Sequence, residues 1–211
     1  MKKSVVIIDY GLGNIYSIDQ ACRHVGYTPI LTSDKDEILG ADSVILPGVG
    51  AFPVAMERLK SKGLTEVVKT YAAQEKPLMG VCLGMQLLLN TSEEFGECEG
   101  LGIIEGNVKR FPKVWKDNKL KIPHIGWNKI FTRQEPLAGG PFDDILNDLF
   151  MYFVHSYYVE TDSEENVLTY TYYEDFKFCS AIQKKNIFGF QFHPEKSGEQ
   201  GLSLYEKFLS I

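Results

Sequence analysis

The sequence predicts an α/β fold of one domain, with a mostly parallel central sheet flanked by helices and extra antiparallel strands in the second half. Over the first half, short β-rich runs alternate with helical patterns, the signature of βα units wound on a parallel sheet. Beyond residue 105, aromatic and β-branched runs crowd together with little helical spacing between them. No internal repeat, low-complexity tract or Pro/Ser-rich linker divides the chain, so residues 1–211 read as a single domain.

Taken in order, the first strand is Val5 to Ile8, a short apolar run closed by Asp9. Ile15, Ile18, Cys22 and Val25 then recur at helical spacing, and Gly26 stands where a helix end favours a left-handed residue. Pro29 to Leu31 is the second strand; Ser33 with Asp36 resembles a capping box for a second helix. Val44 to Leu46 and Pro77 to Val81 are further buried strands, separated by the apolar stripe Leu64, Val67, Val68 and Tyr71. The acidic stretch Glu93 to Glu99 reads as a solvated loop after a helix. Strands are expected at Val108 to Phe111, Trp127 to Phe131, Phe150 to Val159, Val167 to Tyr173, Phe178 to Gln183 and Ile187 to Phe192. An amphipathic helix through Leu202, Tyr205, Phe208 and Leu209 closes the chain. Lys116 to Lys121 and the Gly/Pro-containing stretch Leu137 to Asp144 read as surface insertions.

Composition narrows the function classes. Twenty-two Lys and Arg against 28 Asp and Glu leave a net charge of −6, which argues against a nucleic-acid or anionic-membrane partner. With 44% hydrophobic and 24% charged residues the chain can build a sizeable core, yet no apolar run approaches membrane-spanning length. The run after Lys2 and Lys3 is too short for a signal peptide. Cys22, Cys82, Cys98 and Cys179 form no CxxC pair and no metal-ligand spacing, which fits a reduced, cytoplasmic setting and neither metal nor cofactor. Gly11-x-Gly13 lacks the third glycine of a dinucleotide fingerprint, since position 16 is Tyr.

The chemistry concentrates in Gly80-x-Cys82-x-Gly84, at the junction of the strand ending at Val81 and a following helix. This is a nucleophile elbow with sulfur in place of hydroxyl: a turn that tight admits only glycine on either side and holds the nucleophile exposed. Backbone N–H groups and the positive end of the helix would favour a thiolate at Cys82. A base is available in Phe192-His193-Pro194-Glu195. In an extended segment, side chains two apart face the same way, so Glu195 can fix the His193 tautomer and complete a Cys82, His193, Glu195 triad. Leu46-Pro-Gly-Val-Gly50 is a strand end with little side chain in the way; N–H groups near Val49 and Gly50, with that of Leu83, could bind a tetrahedral oxygen. His24 lies off the apolar stripe of its helix and reads as an exposed side chain.

Gly-Val-Cys-Leu-Gly-Met-Gln, Phe-His-Pro-Glu and Pro-Gly-Val-Gly together resemble the class I (triad) glutamine amidotransferases, a flavodoxin-like family. More narrowly, the chain is similar to the glutaminase subunits of imidazole glycerol phosphate synthases, from Ile8-Asp-Tyr-Gly-Leu-Gly-Asn14 through Pro123-His-Ile-Gly-Trp-Asn128 and Tyr152-Phe-Val-His-Ser-Tyr-Tyr158 to Gln191-Phe-His-Pro-Glu-Lys-Ser197. The resemblance implies that Cys82 attacks the side-chain amide of glutamine, that His193 protonates the departing ammonia and later activates water, and that Glu195 orients His193. It implies that Gln86, His155, Ser156 and Tyr157 help hold glutamine, and that Gly50 and Leu83 offer backbone contacts around the thioester. It further implies a heterodimer with a (β/α)8-barrel cyclase that takes up the ammonia to make imidazole glycerol phosphate and AICAR in histidine biosynthesis. Trp127, Asn128, Tyr152 and Lys196 match that family's interface positions, and activity is expected to be low until the partner binds its ligand.

Three other readings stay open on sequence alone. The same chemistry serves other synthases, such as those making amino sugars for surface polysaccharides, because partner choice lives on surface residues. A catalytically silent scaffold and a stand-alone cysteine hydrolase share the elbow.

Overall fold

The computed structural model describes residues 3–116, 118–132, 142 and 148–211. The first half alternates β1 (Val5–Ile8), α1 (Ile15–His24), β2 (Ile30–Thr32), α2 (Lys35–Gly40), β3 (Ser43–Leu46), α3 (Phe52–Ser61), α4 (Thr65–Ala73), β4 (Leu78–Val81) and α5 (Leu83–Leu87). Short strands follow at β5 (Thr91–Ser92), β6 (Cys98–Glu99), β7 (Gly106–Arg110), β8 (Val114–Trp115), β9 (Asn118–Lys119), β10 (His124–Lys129) and β11 (Phe131–Thr132). The C-terminal part holds β12 (Phe150–His155), β13 (Tyr157–Thr161), β14 (Val167–Tyr173), β15 (Phe176–Lys184), β16 (Ile187–Phe190) and α6 (Gly198–Ser210).

The main sheet runs β2-β1-β3-β4-β16-β15-β13-β7-β5-β6, with β14 beside β15 and β11 beside β14. From β2 to β16 every pairing is parallel. The turn back from β15 into β16 makes the sheet antiparallel there, and β15 pairs antiparallel with β13 and β14. β10 and β12 form a separate antiparallel ribbon.

Period-two alternation explains the layers. Val6, Ile8, Val44, Leu46 and Leu78 face one core with Ile38, Phe52, Leu59, Val68 and Tyr71 from α2, α3 and α4. Their neighbours Val5, Ile7, Ile45, Met79 and Val81 face the other, with Ile18 and Cys22 of α1 and Leu204 and Phe208 of α6. Gly26 has φ +90°, as its place after α1 predicts.

Several local expectations need correction. The cap of α2 is Asp34 rather than Ser33, its carboxylate accepting from Asp36 N at 2.9 Å and Glu37 N at 3.0 Å. The acidic stretch is not simply a solvated loop. It follows β5 and ends in β6, which pairs back on β5; Glu94 accepts from Phe52 N at the start of α3 at 2.7 Å, and Glu93 accepts from Arg110 N at 2.7 Å. The Phe150 to Val159 run breaks into two strands at Ser156, and Trp127 to Phe131 belongs to two strands, the first beginning at His124. Of the Lys116 to Lys121 stretch, Asp117 lies outside the described residues; Lys116 and Lys119 are exposed beside the β8–β9 pairing, although Leu120 is buried. Leu137 to Asp144 lies outside the described residues except Phe142, whose ring is not on the surface but packs edge-on against Phe188 and Phe190.

The elbow is held by contacts that exclude any side chain. A Cβ on Gly84 would lie 2.0 Å from the Leu46 carbonyl oxygen, and one on Gly80 would lie 2.7 Å from Gly84 C and O. Gly84→Ala is therefore expected to cost about 3 kcal/mol or more in urea unfolding. Gly40→Ala, where an added Cβ meets nothing within 4 Å, is the matched control and should change stability by about 1 kcal/mol or less.

Candidate active site

Three neighbouring parallel strands end at one edge of the sheet, and each delivers part of the site just past its last residue. β3 runs into Pro47-Gly-Val-Gly50, β4 into Cys82, and β16 into Gln191-Phe-His193. Parallel pairing makes this convergence automatic, because the carboxyl ends of adjacent strands share one side. A Cβ on Gly48 would lie 2.6 Å from Gly84 N, so the β3 end is packed directly against the start of α5.

Cys82 sits at the turn with φ +53° and ψ −109°, a conformation an L-residue adopts only under constraint. Its side chain lines a cavity of about 320 Å³ together with Val49, Gly50, Leu83, Gln86, Glu94, Pro123, Val154, His155, Ser156, Tyr157 and His193. That volume suits a ligand the size of an amino acid. Cys22 and Cys179 are buried away from it, and burial pushes the Cys22 thiol up to about 12 and the Cys179 thiol higher still, so neither is a competing nucleophile.

His193 Nδ1 lies 2.8 Å from Glu195 Oε1, and both side chains are buried. Glu195 is not presented by an extended strand, as the i, i+2 argument supposes. Pro194–Lys196 is a 3₁₀ turn, and that turn brings the carboxylate back under the imidazole. Asn14 Nδ2 donates to the same Oε1 at 3.2 Å. Burial works to lower the His193 pKa, but Cys82 and Glu195 outweigh it and push it up to about 10. The ring is thus held as imidazolium at neutral pH. Nδ1 is committed to Glu195, while Nε2 has no hydrogen-bond partner among the described residues and is free to serve a substrate.

Among the residues expected to bind substrate, His155, Ser156 and Tyr157 line the cavity wall, and Val49, Gly50 and Leu83 line the side nearest the elbow. Gly50 has φ +103°. Gln86 also reaches the cavity, but its Nε2 is committed internally, to Tyr157 O at 3.2 Å and Gln191 Oε1 at 3.0 Å. Gln191, fully buried, donates to Cys82 Sγ at 3.8 Å. Sequence reasoning missed Gln191 and Glu94. The signal for Gln191 was its place two residues before His193, past the end of the same strand; nothing in the sequence separated Glu94 from its acidic neighbours.

Of the four expected interface residues, Trp127, Tyr152 and Lys196 gather at one face of the ribbon, and Asn128, next to Trp127 in the same strand, points to the other. Trp127 is 56% exposed and lies opposite Tyr152 in the β10–β12 register, with ring centroids 6.1 Å apart; Lys196 Nζ stands 6.0 Å from the Tyr152 ring. His193 N donates to Tyr152 O at 2.9 Å, so this face is tied to His193 through one backbone bond. Asn128 differs from the other three, since its amide donates to Tyr172 O at 2.9 Å and accepts from Lys129 N at 2.8 Å. His24 is exposed, as its helical position predicts.

These features are those of a known family. The chain matches the glutamine amidotransferase class-I family over residues 6–211. It belongs to that family. Among its relatives, the imidazole glycerol phosphate synthase subunit HisH of Sulfurimonas denitrificans is 44% identical over 204 residues, covering 97% of this chain and 96% of the relative. The same-named subunit of Methanosarcina barkeri is 45% identical over 210 residues, 99% of each chain. Solved structures agree on the fold: a glutamine amidotransferase at TM-score 0.74 and 16% identity covers 99% of this chain and 100% of its own. PurLQS from Thermotoga maritima matches at TM-score 0.73 and 18% identity, over 100% and 99%.

The buried His124–His155 pair adds an acid-side pH dependence to folding. Burial pushes His124 down to about 4 and His155 down to about 3. The unfolded chain binds these protons below about pH 6.5, the folded chain does not, and stability is lost as pH falls from there toward 4. The urea midpoint should decline across that window, and decline less in His124→Phe, which removes one of the two buried imidazoles.

Proposed function

We propose that this chain is the glutaminase subunit of an imidazole glycerol phosphate synthase, hydrolysing glutamine to glutamate and passing the ammonia to a cyclase subunit for histidine biosynthesis. The observation that carries the reading is one cavity lined by Cys82 and His193, with Glu195 bonded behind the imidazole, in a chain related end to end to synthase subunits.

The chemistry follows from that arrangement. Cys82 Sγ attacks Cδ of the glutamine side chain, and the carbonyl oxygen takes the negative charge toward backbone N–H groups near Val49, Gly50 and Leu83. As the C–N bond breaks, His193 gives its Nε2 proton to the leaving nitrogen, which departs as ammonia and leaves a γ-glutamyl thioester on sulfur. The neutral imidazole then takes a proton from water, whose oxygen attacks the thioester carbon. The C–S bond breaks, glutamate leaves with its carboxyl proton lost to solvent, and the Cys82 thiolate is restored beside the imidazolium. Glu195 keeps Nδ1 protonated throughout, with Asn14 donating to the same carboxylate oxygen. His155, Ser156 and Tyr157 form the glutamine-binding wall, with Gln86 supporting it.

Ammonia released into water becomes ammonium, so the product needs an enclosed path. The face carrying Trp127, Tyr152 and Lys196 is where we place the partner, a (β/α)8-barrel cyclase in a cytoplasmic heterodimer. No helix among the described residues is long and apolar enough to cross a membrane. The glycines at 48 and 50 let the strand end rotate a peptide toward the oxyanion when the partner engages.

Glutamate release should be measured for the purified chain with and without a cyclase barrel carrying its nucleotide ligand. Strong stimulation is expected, falling about 10³-fold or more in Cys82→Ala and about 10²- to 10⁴-fold in Glu195→Gln. Full activity without the barrel would instead indicate a stand-alone amidase. Trp127→Ala should weaken barrel binding by about tenfold or more in titration calorimetry.

A further inference from the structure

His124 has no part in the chemistry described above, yet it is buried and joined to the cavity wall by bonds whose donors can all be assigned. Tyr157 O can only accept, so the 2.8 Å contact from His155 places a proton on His155 Nδ1. With His155 neutral, its Nε2 is an acceptor, and the 3.0 Å contact with His124 requires the proton on His124 Nδ1. His124 Nε2 is then bare and faces Asn128 Nδ2 at 3.3 Å. The Asn128 amide is oriented independently, because its oxygen accepts from Lys129 N and its nitrogen donates to Tyr172 O. Every bond therefore donates in one sense, from Asn128 through His124 and His155 to the Tyr157 carbonyl. The His124 ring has little freedom to leave this chain, stacked on Phe153 at 5.0 Å and on Tyr173 at 4.2 Å.

The end of the chain is what gives it consequence. Tyr157 O also receives Gln86 Nε2, Gln86 is bonded to Gln191, and Gln191 reaches Cys82 Sγ. His155 and Tyr157 themselves line the cavity.

We propose that His124 is a positioning residue for glutamine binding, its Nδ1–H fixing the tautomer of His155 and thereby the 155–157 wall against which the substrate packs. The assignment rests on the glutaminase reading. Removing the donor leaves a buried acceptor on His155 Nε2 unpaired, which relaxes either by ring rotation or by a change of tautomer; both take the N–H away from Tyr157 O. Since His124 touches none of Cys82, His193 or Glu195, the chemical step should be spared.

The test uses the complex of this chain with its synthase partner. His124→Phe keeps an aromatic ring between Phe153 and Tyr173 and deletes the donor; His124→Asn discards the ring but returns an N–H near the Nδ1 position. We expect KM for glutamine to rise about tenfold in His124→Phe with kcat within about threefold, and to return to within about threefold of wild type in His124→Asn. A merely structural role would predict the reverse order, the ring-deleting variant being the worse. Unchanged KM in His124→Phe, a loss confined to kcat, or failure of His124→Asn to rescue overturns the proposal. Long-range ¹H–¹⁵N spectra of the wild-type complex give a readout independent of turnover. Nδ1–H with bare Nε2 is expected on both His124 and His155, and the opposite tautomer on either ring overturns the proposal even if His124→Phe does not fold. A wild-type complex that shows these tautomers but hydrolyses no glutamine would remove the functional reading, and with it the assignment to glutamine, while leaving the hydrogen-bond chain intact.

Discussion

Between the Leu46 carbonyl at the end of β3 and the backbone of Gly84 at the start of α5 there is no room for a side chain, a Cβ on Gly84 falling 2.0 Å from that oxygen. This close approach forces the chain to leave β4 in a single tight turn and puts Cys82 at positive φ over the sheet edge. The Pro47-Gly-Val-Gly50 segment is thereby pressed against the backbone next to the sulfur. Because β16 lies on the other side of β4 and runs parallel to it, His193 arrives at the same edge without any long excursion. The strain at Cys82 is held by packing from both neighbouring strands and is not relieved locally.

A similar constraint acts behind the histidine. Gly201 in α6 would place a Cβ 1.9 Å from Pro194 O, so α6 packs directly on the 3₁₀ turn that carries Glu195. Ser197 Oγ donates to His193 O at 2.7 Å, and Tyr152 N lies 3.0 Å from the same hydroxyl. His193, the C-terminal helix and the Trp127–Tyr152 ribbon are thus one connected unit. Around one cavity, imidazoles are driven in opposite directions. His193 has a buried carboxylate and a sulfur beside it and is held charged, whereas His124 and His155 have only neutral partners and are held uncharged.

Much of this was legible in the sequence, for identifiable reasons. β1 and β14 fall where their apolar and β-branched runs predict them, because buried strands tolerate little else. The elbow announced itself through glycines that sterics demand. What escaped were features fixed by long-range contact: Glu195 reaches His193 through a turn and not through strand alternation, and the capping role passed from Ser33 to its neighbour Asp34. Phe142, in a stretch read as surface, is buried because Phe188 and Phe190 offer it a wall. Glu94 carries no local pattern that marks it, and Gln191 is marked only by its place two residues before His193, since their partners are 42 and 109 residues away. The His124–His155 pair likewise depends on a strand register that only the folded ribbon reveals.

The central claim is that Cys82 carries the acyl group of glutamine. The most direct measurement is to acid-quench the partner-activated complex during turnover of radiolabelled glutamine and map the label by peptide mass spectrometry. The account predicts label on the peptide containing Cys82, released by mild base as a thioester should be. Label on Cys22, Cys98 or Cys179, or active turnover with no covalent label even when deacylation is slowed by rapid cooling, would contradict it.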